Sequence, residues 1–64
     1  MTRIVFTNDF NGNRRMQDIP VWQAFNLLKN TRWLKSMTVY YGDGETTFTK
    51  VKNGKMRVHA RGSE

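Results

Sequence analysis

The sequence predicts an α+β domain, an antiparallel sheet packed on one helix, with the element order β-(β)-α-β-β-β. Two Asn-Gly pairs, at residues 11–12 and 53–54, each lie between strand-forming stretches, as in β-hairpins. Between them, residues 18–31 place apolar side chains at intervals of three and four, the period of an amphipathic helix. A chain of 64 residues without cysteine forms one domain by packing alone, so its core is small.

The first predicted hairpin spans residues 3–19. Residues 4–7 are strand formers, and Asn11-Gly12 supplies the two central residues of a type I′ turn. This turn places Asp9 opposite Arg14, a favourable pair of opposite charges. The second strand has little β-propensity near its start, which leaves open a single strand followed by a loop.

The predicted helix at residues 18–31 has recognisable ends. Its N-cap falls at residue 18 or 19, Pro20 occupies the first turn, where no N–H is needed, and Asn30 ends it. One face is apolar and is expected to cover the sheet: Val21, Ala24, Phe25 and Leu28.

Residues 36–60 predict three further strands. A three-residue loop, Gly42-Asp43-Gly44, with its last glycine in the left-handed region, places Val39 opposite Thr47. We prefer this loop because it keeps apolar and basic side chains on separate faces. A turn at Asn53-Gly54 then gives like-charge pairs across the last hairpin: Lys50 with Arg57 and Lys52 with Lys55.

These registers divide the three strands into two faces. The apolar face is expected to meet the helix: Met37, Val39, Tyr41, Thr47, Thr49, Val51, Met56, Val58 and Ala60. The other face is basic and aromatic: Thr38, Tyr40, Phe48, Lys50, Lys52, Lys55, Arg57 and His59.

Charge is the strongest deviation in the composition. Eleven Lys and Arg against five Asp and Glu give a formal net charge of +6. This balance favours an anionic partner. Three explanations stay open for the basic hairpin: lysines that discourage edge-to-edge aggregation, a nucleic-acid surface, or a surface for an acidic protein.

We expect a small, non-enzymatic, nucleic-acid-associated module with a regulatory role, which binds DNA or RNA through the basic face. The residues predicted to make these contacts are Lys50, Lys52, Lys55, Arg57, Tyr40, Phe48, Arg14 and Arg15. The alternative is a small protein-binding regulator or inhibitor that docks on an acidic surface of a larger enzyme.

The sequence carries no signature of catalysis or of a bound cofactor. His59 is the only histidine and is interpreted as part of the basic face, and there is no cysteine nucleophile. Asp43 and Glu45 are explained as a turn residue and a solubilising residue, so no metal site is predicted. Trp22 and Trp33 are expected to be core or helix-flank anchors rather than a ligand cage.

Residues 1–61 are expected to form a single domain and residues 62–64 a disordered tail. No apolar run reaches the length of a bilayer span or a signal-peptide core, so we expect a cytoplasmic protein with no membrane partner. The element order leaves open a β-grasp-like or a split-sheet arrangement.

Overall fold

The computed structural model describes residues 3–51 and 55–62. Its elements follow the predicted order: β1 (Arg3–Asp9), β2 (Arg14–Gln17), α1 (Val21–Asn30), β3 (Leu34–Tyr41), β4 (Gly44–Lys50) and β5 (Met56–Gly62). The α+β class is confirmed, and the second strand of the first hairpin forms. Because β5 continues through Gly62, only residues 63 and 64 of the predicted tail lie outside the described residues.

The strands form one sheet in the order β2-β1-β3-β4-β5, and every pairing is antiparallel. β2 and β3 both run antiparallel to β1, so they are parallel to each other, and α1 connects them by crossing over β1. The helix therefore covers the β1 and β3 part of the sheet. A continuous sheet excludes the split-sheet arrangement, and its antiparallel central pair excludes a β-grasp, which requires a parallel one.

The core lies between α1 and the sheet. Its buried apolar side chains are Val5, Ala24, Leu28, Leu34, Met37 and Val39. The predicted apolar face of the helix is confirmed, since Val21 and Phe25 pack against this cluster. The expectation that Trp22 and Trp33 are core residues is wrong, since they are 67% and 61% exposed. The helix turns only one face to the sheet, and no second layer among the described residues covers the tryptophans.

Helix α1 begins one to two residues later than predicted. Pro20 is the N-cap, and its carbonyl accepts hydrogen bonds from the N–H groups of Gln23 (3.1 Å) and Ala24 (3.0 Å). The predicted end is confirmed at Asn30. Lys29 in the last turn adds a favourable charge at the negative end of the helix dipole.

The first hairpin closes through three residues, Phe10 to Gly12, and not through the predicted two. The carboxylate of Asp9 accepts the N–H groups of Asn11 and Asn13, both at 2.9 Å, and Gly12 adopts a φ of +87°. The predicted pair of Asp9 with Arg14 is therefore wrong, because Asp9 is used to build the turn and Arg14 lies opposite Asn8.

The second hairpin closes through two residues, Gly42-Asp43, and not through the predicted three. Gly42 has a φ of +57°, as the first position of a primed turn requires. Gly44 is a strand residue opposite Tyr41, and β5 passes close to it. A Cβ on Gly44 would lie 3.1 Å from the carbonyl oxygen of Arg61, so this position is packed too tightly for a side chain to enter without movement.

This shorter loop turns β4 over. A register shift of one residue moves every side chain of a strand to the opposite face. Phe48 pairs with Met37 and Val58, and Thr49 pairs with Arg57. The predicted faces of β3 and β5 are confirmed, whereas those of β4 are exchanged. Val58 does face the helix side, yet it is 58% exposed because α1 does not reach the edge strand.

The buried face of α1 predicts a strong contrast between neighbouring leucines. Leu28 is fully buried and Leu27 is 37% exposed. We expect Leu28→Ala to lower the free energy of unfolding by about 2–5 kcal/mol, a large part of the roughly 3–10 kcal/mol available to a domain of this size. Leu27→Ala, the matched control, should cost much less. Urea denaturation measures both, and equal losses would contradict the placement of the helix.

A second prediction concerns Asp9. Hydrogen bonds from the backbone and side chain of Asn13, and from the Asn11 N–H, hold the pKa of Asp9 below its ordinary value of 3.8, against an opposing effect of desolvation. Ionised Asp9 therefore contributes stability above pH 3.8, and this contribution is lost as the pH falls through the folded-state pKa.

We expect Asp9→Asn to melt at a lower temperature than the wild type at neutral pH, with the difference disappearing in strong acid. Asp18→Asn removes the same charge from an exposed site and serves as the control. Thermal melts across a pH series test this. If the Tm of Asp9→Asn stays below that of the wild type by the same amount at a pH below the folded-state pKa, the stabilising role of ionised Asp9 is disproved.

Candidate nucleic-acid interface

The sheet face opposite α1, here called the open face, has no described element packed on it. Pairing registers align its side chains in rows that run across the strands. The first row runs from β2 to β5: Arg14, Asn8, Ser36, Thr49 and Arg57. The second consists of Met16, Phe6, Thr38, Thr47 and His59. The third consists of Ile4, Tyr40, Glu45 and Arg61.

Arg14 is held in place on this face by two aromatic rings. Its guanidinium carbon lies 4.4 Å from the ring centroid of Phe6 and 5.5 Å from that of Tyr40. The Nη2 group also donates a short hydrogen bond to the Tyr40 hydroxyl. The two rings meet edge to face, with centroids 5.7 Å apart. Three contacts thus fix an exposed arginine whose planar fork suits phosphate and carboxylate groups.

Polar groups fill the middle of the open face. The side-chain amide of Asn8 donates to the Ser36 hydroxyl at 3.2 Å, and the hydroxyls of Thr38 and Thr47 are 3.4 Å apart. Ser36 and Thr38 lie on the central strand, β3, and both are buried. In the first row the middle strands therefore present short polar side chains, while the cations lie on the outer strands.

The open face is moderately basic. Among the described residues of its three rows, it carries three arginines, on β2 and β5, and one carboxylate, that of Glu45. Glu45 lies directly opposite Arg61, a favourable cross-strand pair that partly compensates the charge of Arg61. Arg14 lies opposite Asn8 and Arg57 lies opposite Thr49. Because both of these neighbours are neutral, the positive charges of the two arginines are less compensated than that of Arg61. His59 lies opposite Thr47, between Arg57 and Arg61.

The structure divides the residues that the sequence predicted as contacts. Arg14, Tyr40 and Arg57 lie on the open face, and Lys55 is exposed just before β5. Lys52 lies outside the described residues. Three of the predicted contact residues do not lie on the open face, because their side chains point to the helix side of the sheet: Phe48, Lys50 and Arg15.

Phe48 belongs to the core layer. Its ring packs edge to face on Phe25 of α1, with centroids 5.5 Å apart. The Nζ group of Lys50 donates to the carbonyl of Thr31, the C-cap of α1, at 2.6 Å. Lys50 therefore satisfies a carbonyl at the negative end of the helix dipole. Arg15 is exposed, opposite Thr7, on the helix side of β2.

The like-charge pair predicted for the last hairpin does not form. Lys50 lies opposite Met56, and Arg57 lies opposite Thr49 on the other face. Lys50 and Arg57, which were predicted to face each other, therefore lie on opposite faces of the sheet. The predicted pair of Lys52 with Lys55 involves a residue outside the described ranges.

Sequence reasoning missed Phe6 and Arg61. Phe6 lies in a stretch where Ile4, Val5 and Phe6 are consecutive apolar residues, a pattern typical of a strand with apolar contacts on both faces. This pattern is typical of a strand inside a sheet, which is where β1, and with it Phe6, lies. Arg61 was assigned near a frayed end, and only its pairing with Glu45 places it in the sheet.

Within residues 3–51 and 55–62, no group of three or more His, Asp or Glu side chains is arranged to hold a metal ion. Across the same residues, the helix is too short and too polar to cross a membrane.

The role of Lys50 predicts an effect on stability. Lys50→Met keeps the aliphatic stem but leaves the Thr31 carbonyl without its donor, and we expect a loss of about 1 kcal/mol. In a domain of this size that lowers the Tm by about 4–8 °C. Lys55→Met removes the same charge at an exposed position and should leave the Tm nearly unchanged. Equal melting of the two variants would show that the Lys50 hydrogen bond contributes nothing.

Comparison with protein-family models, with curated proteins and with solved structures found no match for this chain. The chemistry of the open face is therefore the basis on which a function is inferred.

Proposed function

We propose that this protein is a small, non-enzymatic, nucleic-acid-associated module and that its open face makes the contact. The observation that carries the proposal is the cluster in which Arg14 is held against Phe6 and Tyr40 on an uncovered sheet face. Proteins bind nucleic acid by combining cations that neutralise phosphates with flat groups on which bases stack.

The cluster supplies both kinds of contact. Phe6 and Tyr40 are half-buried, and Arg14 is exposed beside both rings. Bases stack on arginine guanidinium planes as well as on aromatic rings. Because Arg14 is already fixed by its aromatic neighbours, little side-chain entropy is lost when a phosphate or a base binds to it.

The cations on β5 extend the surface. Arg57 and Arg61 are exposed on the same face as Arg14, and Lys55 precedes them along the chain. Together these four side chains provide phosphate contacts on both outer strands of the sheet. An overall charge of +6 favours the encounter with a polyanion at a distance.

Salt dependence tests the proposal. With three or four phosphate contacts, the affinity for an oligonucleotide should fall with salt along a log–log slope of roughly −2 to −3. Arg57→Gln combined with Arg61→Gln should reduce the steepness by about 1.4, since each single-strand contact contributes about 0.7. Fluorescence anisotropy with labelled oligonucleotides across a salt series gives both slopes.

A matched control removes two cations from the other side of the molecule. Lys29→Gln combined with Arg32→Gln changes the net charge equally, at the end of α1 and in the loop after it. We expect this variant to keep the wild-type slope. Equal effects of the two double variants would mean that only the net charge matters, and absence of binding at low salt would refute the proposal.

A second candidate function is a protein-binding regulator or inhibitor that docks on an acidic surface. The observation that favours it is a set of large exposed aromatic side chains that do not belong to the rows of the open face: Phe10, Trp22 and Trp33, each more than 60% exposed. Protein interfaces are enriched in such aromatic residues. Loss of binding to an acidic protein, but not to nucleic acid, on Trp33→Ala would favour this candidate.

A further inference from the structure

The first row of the open face has a cation at each end and neutral polar groups between them. We name it the Arg14–Arg57 row; it consists of Arg14, Asn8, Ser36, Thr49 and Arg57. Four inter-strand steps separate its ends, which is roughly 19 Å at about 4.8 Å per step. Because the row runs across the strands, it offers a linear path over the sheet.

We infer that the open face binds single-stranded nucleic acid laid across the β-strands along the Arg14–Arg57 row. This inference rests on the proposed function and names its ligand class. The shared chemistry is a phosphate backbone with unpaired bases, whether of DNA or RNA.

The breadth of the face argues against a duplex. The major groove is about 12 Å wide and admits a helix or a two-stranded ribbon, whereas this face is a five-stranded sheet with α1 on its back. The open face therefore meets an undeformed duplex through the phosphates nearest to it. A single strand conforms to a broad sheet and exposes its bases to it.

The distribution of charge matches the same ligand. Arg14 and Arg57 can each bind a phosphate, and between them the amide of Asn8 and the hydroxyl of Thr49 can hydrogen-bond to bases or sugars. Phe6 lies in the second row and Tyr40 in the third, and the Arg14 guanidinium contacts both rings. A base next to the phosphate held by Arg14 is thereby placed over the aromatic cluster.

The test compares oligonucleotide length and strandedness by fluorescence anisotropy at low salt. The probes are oligothymidylates and oligouridylates of about 2 to 16 nucleotides, which covers the site sizes of single-strand-binding folds, and a mixed-sequence DNA duplex of the longest length. We expect affinity to rise with length and level off once a strand spans both arginines. The duplex should bind about tenfold more weakly than the single strands of equal length, since it offers no base faces for stacking.

Two arginines that adjoin in sequence give the matched variants. Arg14 lies on the open face and Arg15 on the helix side of the same strand. We expect Arg14→Gln to lose most of the gain in affinity with length, because a longer strand has only the Arg57 end to reach. Arg15→Gln should keep the wild-type length dependence, and circular dichroism verifies that both variants fold.

The outcomes separate the inference from the proposed function. A duplex that binds as tightly as single strands would overturn the inference while the proposed function stands. Identical length dependence in Arg14→Gln and Arg15→Gln would overturn the path along the row. Absence of binding to every probe at low salt would refute the proposed function, and the inference with it.

Discussion

The contact between Phe48 on β4 and Phe25 on α1 decides what the outer half of the sheet presents to solvent. Their rings pack edge to face at 5.5 Å and fix β4 with its even-numbered side chains toward the helix. Because a strand has a period of two, this placement commits Thr47 and Thr49 to the open face. β5 follows through its pairing with β4, which brings Arg57 and Arg61 to the same face as Arg14.

Lys50 shows how the same constraint redistributes charge. Once Phe48 points to the helix, Lys50 must do so as well, and its long stem carries the amine to the carbonyl of Thr31. A cation that would otherwise repel Arg57 instead stabilises the end of α1. In the last hairpin, Lys50 thus has a structural role on the helix side, whereas Arg57 is exposed on the open face.

The elements and the helix face could be predicted from the sequence because they depend on local patterns. The apolar period around Ala24 and Leu28 and the turn residues between strands are such patterns, and they gave the element order correctly. The sheet order could not be predicted in this way. The pairing of β1 with β3 is a long-range choice made by burial of Val5 against Val39, which no short stretch encodes.

The candidate site was predicted only in part for a related reason. All three hairpin registers were misjudged by one residue. The Asp9 carboxylate lengthens the first turn, the second turn ends at Asp43 instead of Gly44, and Lys50 lies opposite Met56 instead of Arg57. The predicted register of β4 rested on placing apolar and basic side chains on separate faces, but Lys50 lies on the helix side and reaches the Thr31 carbonyl. Arg14 and Tyr40 were predicted individually, but their joint contact with Phe6 depends on the sheet order.

The close approach of β5 to Gly44 affects where a label or a fused domain can be joined to this chain. Gly62 lies opposite Gly44, and Arg3 lies opposite Tyr41, so both ends of the described chain leave from one end of the sheet. The Arg14–Arg57 row lies toward the other end, next to the turn at Phe10–Gly12. A fluorescent label, an immobilisation tag or a fused domain is therefore attached beyond the end of the sheet that is farther from the row. Gly62 itself is the poorer junction, because a bulky group there presses on the Cα of Gly44.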